Sequence, residues 1–334
     1  MEKGDTARPG VRLRHLAIRN YKAIDELELD FPEPELPSDP DVFALGSANG
    51  VGKTSVLESC ALLLLAHVRN SDLFSFEMDT TVRAGASIAT IAGDLAVGTT
   101  SDPATLSFGS QGNSFAPSSV LPAFRREDHA SRASLDSLFG RSPNVLVLRP
   151  LMYFHSYRKV LAGDTSLTAL GQGSVASQFK VEVLKCLLAQ MGAFENIQVS
   201  DADGALNRLN VLMARYLHGR FERPHLSEDA MQLRIRPEDG GPSFAYDGLS
   251  SGQKEVIATM FLIWRHTKDN PGVVLIDEPE LHLNAEWQLN LVRQLHEIAP
   301  WNQYILATHS EDIFASVLPE RRFLLQPRKV AVAT

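Results

Sequence analysis

The chain is poor in the residues that staple small or secreted folds. Of its 334 residues only two are cysteine, Cys60 and Cys186, and both lie in apolar, helix-like runs. Two such thiols give no disulfide framework and no zinc-ligand spacing, so they are expected to be reduced core residues of a cytoplasmic protein. Long hydrophobic runs are also missing. The longest strongly apolar stretch, Cys60–Val68, falls far short of a bilayer span, and Met1–Gly10 has no apolar signal core, so no membrane association is expected. Positive charge is not in excess: 32 Lys and Arg stand against 40 Asp and Glu, a net charge of −8. Nothing global pulls the chain onto nucleic acid, which leaves only a local basic patch for that purpose. Internal repeats and sustained heptads are absent, which excludes a solenoid or long coiled-coil arms. What is present, 44% hydrophobic and 22% charged, is ordinary for a globular protein, and 334 residues are enough for one large α/β domain or one domain with a sizeable insertion.

The organising stretch is Val42 to His67. Val42–Leu45 reads as a buried strand, Gly46–Gly52 as a small-residue loop, and Lys53 onward as a helix to about His67. A strand, a glycine loop and a helix in that order are the context a phosphate-binding loop needs. Gly50 and Gly52 can take positive φ and let a phosphate touch the main chain. The N–H groups of this loop then form an anion nest at a helix amino end. The nucleotide-binding residues expected here are Asn49, Gly50, Val51, Gly52, Lys53, Thr54 and Ser55. Lys53 is expected to reach the β- and γ-phosphates and the Thr54 hydroxyl to bind Mg²⁺. The strict pattern is not matched, because Ser47 holds the first glycine position and Gly46 lies one residue earlier. A glycine-rich turn before a core helix is the bland alternative.

Three further constellations follow in order. Val273–Ile276 is apolar and ends in Asp277-Glu278, a Walker B arrangement at a strand's C-terminal end, where open α/β sheets bind ligands. Asp277 is expected to hold Mg²⁺, and Glu278 to orient and polarise an attacking water. Alone, this could equally be a solvated acidic loop. Gly248-Leu249-Ser250-Ser251-Gly252-Gln253-Lys254 opens a helix with a second anion-binding turn. An ordinary serine N-cap would look the same. Thr308-His309-Ser310 follows the apolar strand Gln303–Ala307 and puts His309 within reach of a γ-phosphate.

Taken together, these elements resemble the ATP-binding-cassette (ABC) ATPases: Walker A, an LSSGQK form of the LSGGQ signature, Walker B and a switch histidine. The resemblance implies an α/β ABC ATPase fold, a mostly parallel P-loop sheet with an antiparallel β subdomain and a helical insertion. It implies a homodimer, extendable to a higher oligomer, that sandwiches two ATP molecules head to tail. Each ATP would meet Lys53 and Thr54 of one subunit and Ser250, Ser251, Gly252 and Gln253 of the other. Glu278, His309 and Lys53 would be catalytic, and Thr54 and Asp277 would be the Mg²⁺ ligands.

The opening Leu13–Phe31, with its turn Asn20-Tyr21-Lys22-Ala23-Ile24, resembles the branch containing RecF, the structural-maintenance-of-chromosomes proteins and the overcoming-lysogenization-defect (OLD) nucleases. The continuation Pro279-Glu280-Leu281-His282-Leu283 resembles compact OLD-like bacterial ATPases, many of which serve in anti-phage defence. Twenty-five residues follow His309, too few for the Toprim nuclease domain of OLD proteins. A nuclease acting on DNA or RNA is therefore expected as a separate chain, as in Septu-type pairs, in defence or DNA repair. Two other readings are a nucleotide-gated scaffold with negligible turnover that holds a toxin or nuclease, and a transporter energy-coupling subunit. The Glu280-Leu281-His282-Leu283 continuation argues against the transporter. The Q-loop glutamine of the family has no clear counterpart: Gln111, Gln172 and Gln178 are weak candidates, with Tyr157-Arg158 as an alternative. His129 and His155 are expected to be structural.

Elsewhere the pattern is coarser. Val11–Asn20 and Ile24–Phe31 alternate and read as a hairpin, and Ser87–Ala92, Leu95–Gly98 and Ala104–Phe108 as antiparallel strands. Ser110–Ser119 reads as a loop, Asn144–Phe154 as one strand, and Gln178–Gln190 and Ala205–Tyr216 as amphipathic helices. Met231–Arg236 reads as a strand, Ser251–Trp264, Ala285–Ile298 and Glu311–Val317 as helices, and Arg322–Leu325 as an edge strand. Residues 1–125 and 231–334 are expected to form the two parts of the ATPase lobe, with 126–230 a largely helical insertion.

Overall fold

A computed structural model describes residues 10–36, 38–48, 50–69, 81–97, 100–109, 114–117, 146–148, 151–156, 175–190, 198–226 and 231–326. The strands are β1 (Val11–Tyr21), β2 (Ile24–Asp30), β3 (Val42–Gly46), β4 (Ile88–Val97), β5 (Thr100–Gly109), β6 (Ser114–Pro117), β7 (Leu146–Leu148), β8 (Leu151–Phe154), β9 (Gly219–Leu226), β10 (Met231–Pro237), β11 (Phe244–Ala245), β12 (Val273–Asp277), β13 (Gln303–Thr308) and β14 (Arg322–Leu324). The helices are α1 (Lys53–Arg69), α2 (Val175–Gln190), α3 (Val199–Leu217), α4 (Ser251–Thr267), α5 (Ala285–Ile298) and α6 (Glu311–Ser316).

The central sheet runs β14-β3-β13-β12-β8-β7, parallel except for β7. Its middle strands are apolar and buried along their whole length, as expected where both faces are covered. The two-residue side-chain period divides them between two cores. Phe43, Leu45, Tyr153, Leu275 and Ile305 face α1 and a second sheet. Ala44, Phe154, Ile276, Tyr304 and Leu306 face α3, α4 and α5. Helix α1 lies between the two sheets, and Val56–Leu57 and Cys60–Leu65 are buried all round it.

The second sheet is antiparallel, in the order β2-β1-β4-β5-β6. Buried polar links tie it to the first: the Gln303 side chain accepts from Leu13 N (2.8 Å) and donates to Leu13 O (2.9 Å). Asp41 pairs with both Arg12 and Arg321, with Arg321 Nη1 2.8 Å from Asp41 Oδ1.

The elements depart from the sequence reading where tertiary contacts override local signals. β4 runs unbroken through Gly93-Asp94, because a Cβ at Gly93 would lie 2.5 Å from His15 O and 2.6 Å from Leu63. The glycine marks close packing, not a turn. Asn144–Phe154 is not one strand but contributes the hairpin strands β7 and β8, with Pro150 between them in sequence. Residues 126–230 thus supply two strands of the central sheet as well as α2 and α3. α3 begins six residues before Ala205, and β6 lies within the expected loop Ser110–Ser119. β9 has no counterpart in the sequence reading.

Candidate nucleotide-binding site

Four parallel strands end at one edge of the central sheet. The register aligns Gly46 with Thr308, Asp277 with Ala307, and Ile276 with Phe154. The loops that leave this edge therefore bring residues 47–48, 50–52, 278–283, 309–310 and 155–156 together, and this edge is where an open α/β sheet binds ligands.

Gly50 and Gly52 have φ of 76° and 107°, a conformation that suits glycine. A Cβ at Gly52 would also sit 3.1 Å from Ile24, so the β1–β2 turn packs against the loop. Gly52, which precedes α1, has no side chain with which to cap the helix, so the first N–H groups of α1 need partners from outside it. Lys53 is buried, and its Nζ lies 3.0 Å from Ser47 O, 3.1 Å from Ser47 Oγ, 3.3 Å from Ala48 O and 3.3 Å from His309 Nδ1. Desolvation lowers its pKa, and the charges of Asp277, Glu280 and Glu278 oppose that shift. Ser55 is buried and Val51 half-buried; Asn49 lies outside the described residues.

Thr54 Oγ1 donates to Asp277 Oδ2 at 2.9 Å, and Asp277 is buried at the end of β12. A hydroxyl beside a buried carboxylate is a hard-oxygen pair that fits Mg²⁺, whose remaining ligands come from phosphate and water. Among the described residues no group of three or more His, Cys, Asp or Glu could hold a metal alone. Glu278 has φ of 49° and donates its N–H to Ala307 O at 2.8 Å. Its Oε1 lies 3.9 Å from His309 Nε2. Lysine has only protons to offer, so His309 Nδ1 accepts and Nε2 carries the hydrogen that faces Glu278.

Ser250 caps α4 in a reciprocal box: Gln253 N donates to Ser250 Oγ (3.3 Å) and Ser250 N to Gln253 Oε1 (3.1 Å). Ser250 and Ser251 are exposed, while Gly252 is buried. A Cβ at Gly252 would fall 2.1 Å from the His282 carbonyl, so this turn is pressed against the segment that follows Walker B.

Several residues here escape motif reasoning. Glu58, one turn beyond Thr54 on α1, is 2.6 Å from Lys22 Nζ and 3.3 Å from the Tyr21 hydroxyl. Burial raises the Glu58 pKa, with Lys22 opposing. Glu280 accepts from Thr308 Oγ1 and from His309 N, both at 2.6 Å. Only the oddity of a third acid after Walker B could have flagged it. His155 is buried next to Phe154, with Ser156 Oγ 3.5 Å from its Nδ1. Of the Q-loop candidates, Gln178 is in the first turn of α2. Gln111, Gln172, Tyr157 and Arg158 lie outside the described residues, as does His129.

Residues 48–315 match the family described as "AAA domain, putative AbiEii toxin, Type IV TA system". Similar curated proteins include the "Retron Ec83 probable ATPase" of Escherichia coli, 28% identical over 52% of this chain and 38% of that protein. The Septu protein PtuA of Bacillus mycoides (strain KBAB4) is 22% identical over 89% of this chain and 38% of its own length. The "Retron Vc95 probable ATPase" of Vibrio cholerae serotype O1 biovar El Tor is 35% identical over 24% of this chain and 18% of that protein. The chain therefore spans well under half the length of the curated relatives it matches. Among solved structures, the SMC head bound to the C-winged helix domain of ScpA superposes with a TM-score of 0.55 over 91% of both chains at 15% identity. An SMC head bound to the C-terminal domain of ScpA derived from Pyrococcus furiosus gives 0.52 over 92% of both at 14% identity. No described helix is long and apolar enough to cross a membrane. With a family match over more than half its length and the fold of an ABC-type ATPase head, the chain belongs to this AAA-domain family.

Proposed function

We propose that the protein binds and hydrolyses ATP as a head-to-tail homodimer and that this cycle controls a separate effector in anti-phage defence. The observation that carries the reading is the convergence of Lys53, Thr54, Asp277, Glu278 and His309 at one sheet edge, with Ser250 and Ser251 exposed at the start of α4. Lys53 and the loop N–H groups bind the phosphates. Thr54 and Asp277 would hold Mg²⁺, which would supply positive charge against that growing on the phosphate oxygens. Glu278 accepts a proton from the water that attacks the γ-phosphorus in line. The bond to the bridging oxygen breaks, and its electron pair leaves with ADP. His309 Nε2–H donates to the transferring phosphoryl, and Lys53 offsets its charge. The partner's signature turn closes over the same nucleotide, so two bound ATP molecules hold the dimer shut. Hydrolysis removes that shared contact and the dimer opens.

The effector reading draws support from the Septu and retron relatives. A nuclease directed at DNA or RNA, encoded as a separate chain, is the partner class that fits. The test is mass in solution with ATP and Mg²⁺, comparing the wild type with Glu278→Gln, each co-expressed with its genomic neighbours. A dimer locked by ATP in the variant, with a second protein retained, is the expected result. Equal association with and without ATP in both proteins would overturn the switch. An ATP-dependent dimer without measurable phosphate release would turn the reading into the nucleotide-gated scaffold.

A further inference from the structure

The edge holds three acids in four residues, Asp277, Glu278 and Glu280, and the third is engaged differently from the other two. Both Glu280 oxygens point at the loop that carries His309. Oε2 accepts the Thr308 hydroxyl and Oε1 accepts the His309 N–H, each at 2.6 Å. These are short, charge-assisted bonds. The loop is held at a second point as well: Ser310 Oγ donates to Gln288 Oε1 at 2.7 Å, and Gln288 Nε2 donates to Leu283 O at 2.9 Å. Residues 278–283 and 308–310 are thus bridged twice, and His309 is left only side-chain rotations.

A third carboxylate beside Asp277 and Glu278 carries a repulsive cost that a neutral linker would avoid. An acid at this position is explained by what it fixes. With the His309 main chain clamped, the imidazole stands between Lys53 Nζ, 3.3 Å from Nδ1, and Glu278 Oε1, 3.9 Å from Nε2. The clamp therefore keeps Nδ1 on Lys53, which selects the tautomer that carries its hydrogen on Nε2.

We propose that Glu280 is a positioning residue for phosphoryl transfer, acting through His309. This rests on His309 meeting the γ-phosphate as described above. Glu280→Ala is expected to lower kcat by about 10- to 100-fold while KM for ATP stays within about 2-fold, the signature of misplacement and not of lost binding. Glu280→Gln keeps an acceptor for the His309 N–H and is expected to recover part of that loss. In a His309→Ala background, Glu280→Ala should add less than about 3-fold, because the two act as one unit. Losses that multiply across the two sites, or that fall on KM, would overturn the proposal. The second measurement needs no turnover: ¹⁵N spectra of the histidine side chains should show His309 protonated at Nε2 in the wild type and a mixture of tautomers in Glu280→Ala. A tautomer unchanged by the variant would sink the clamp even in an active enzyme. A shifted tautomer with no ATP hydrolysis in any protein would sink the functional reading and leave the clamp standing. If Glu280→Ala does not fold, Glu280→Gln, which can offer an acceptor at only one of the two positions, is expected to show the same kcat loss and tautomer shift in smaller measure, and no change in either would overturn the proposal.

Discussion

Two helix beginnings in this molecule look alike in sequence and differ in structure. α1 starts after Gly50-Val51-Gly52, and α4 starts after Leu249-Ser250. Both are small-residue turns that could receive a phosphate. At α1 the residue before the helix is Gly52, which has no side chain to cap with, and Lys53 and Thr54 turn inward to His309 and Asp277. At α4 the end is closed by its own capping box, and Ser250 and Ser251 face solvent. In the proposed dimer the first would be one subunit's half of a nucleotide site, and the second, its cap already satisfied, would be the surface offered to the partner's nucleotide.

Lys53→Ala should break the inward-facing end most severely. Loss of the ammonium among four acceptors removes about 10²- to 10³-fold of turnover, read by phosphate release, and most ATP affinity, read by calorimetry. Ser250→Ala should cost about 1 kcal/mol of stability through the lost cap, yet lower turnover by more than that accounts for, on the order of 10-fold or greater. Mixing Ser250→Ala with Lys53→Ala sharpens the comparison. In a head-to-tail dimer of the two, one site keeps both its own P-loop and an intact partner turn, so activity should reappear on mixing. A mixture as inactive as its components would place both motifs at one site in one subunit. Gly252→Ala should destabilise by about 1–3 kcal/mol in thermal unfolding, because the new methyl meets the His282 carbonyl. The smallest effect concerns the α1 side. Burial raises the Glu58 pKa, so its contribution to stability is full below the ordinary carboxylate range and is lost as pH rises through the raised value. Glu58→Gln should flatten that fall in denaturant titrations run at several pH values.

Much of the central sheet was legible because its strands are covered on both faces and so read as unbroken apolar runs ending in functional residues. α4 and α5 were legible because Ser250 and Asn284 cap them with side chains. α3 was not: Gln198, at its cap position, makes no side-chain cap bond, so nothing in the sequence announces Val199. It ends at His218, in the left-handed region at φ 48° where glycine would be the usual signal, and β9 follows at once. In the site, the motif residues were readable by spacing. Glu280, Thr308 and the Lys22–Glu58 pair were not, because their partners lie 28 and 36 residues away and only the folded sheet edge joins them.

Glu278 departs from ordinary backbone preference. A glutamate at φ 49° sits in a conformation that costs on the order of 1–3 kcal/mol for a side chain with a Cβ. Random mutation screened for heat resistance alone should therefore tend to lose this acid. Glu278→Gly relieves the strain at a position that is half exposed, and is expected to raise the melting temperature while abolishing hydrolysis. If the proposed hydrolysis is the protein's activity, keeping an acid in this conformation trades stability for turnover at a single residue.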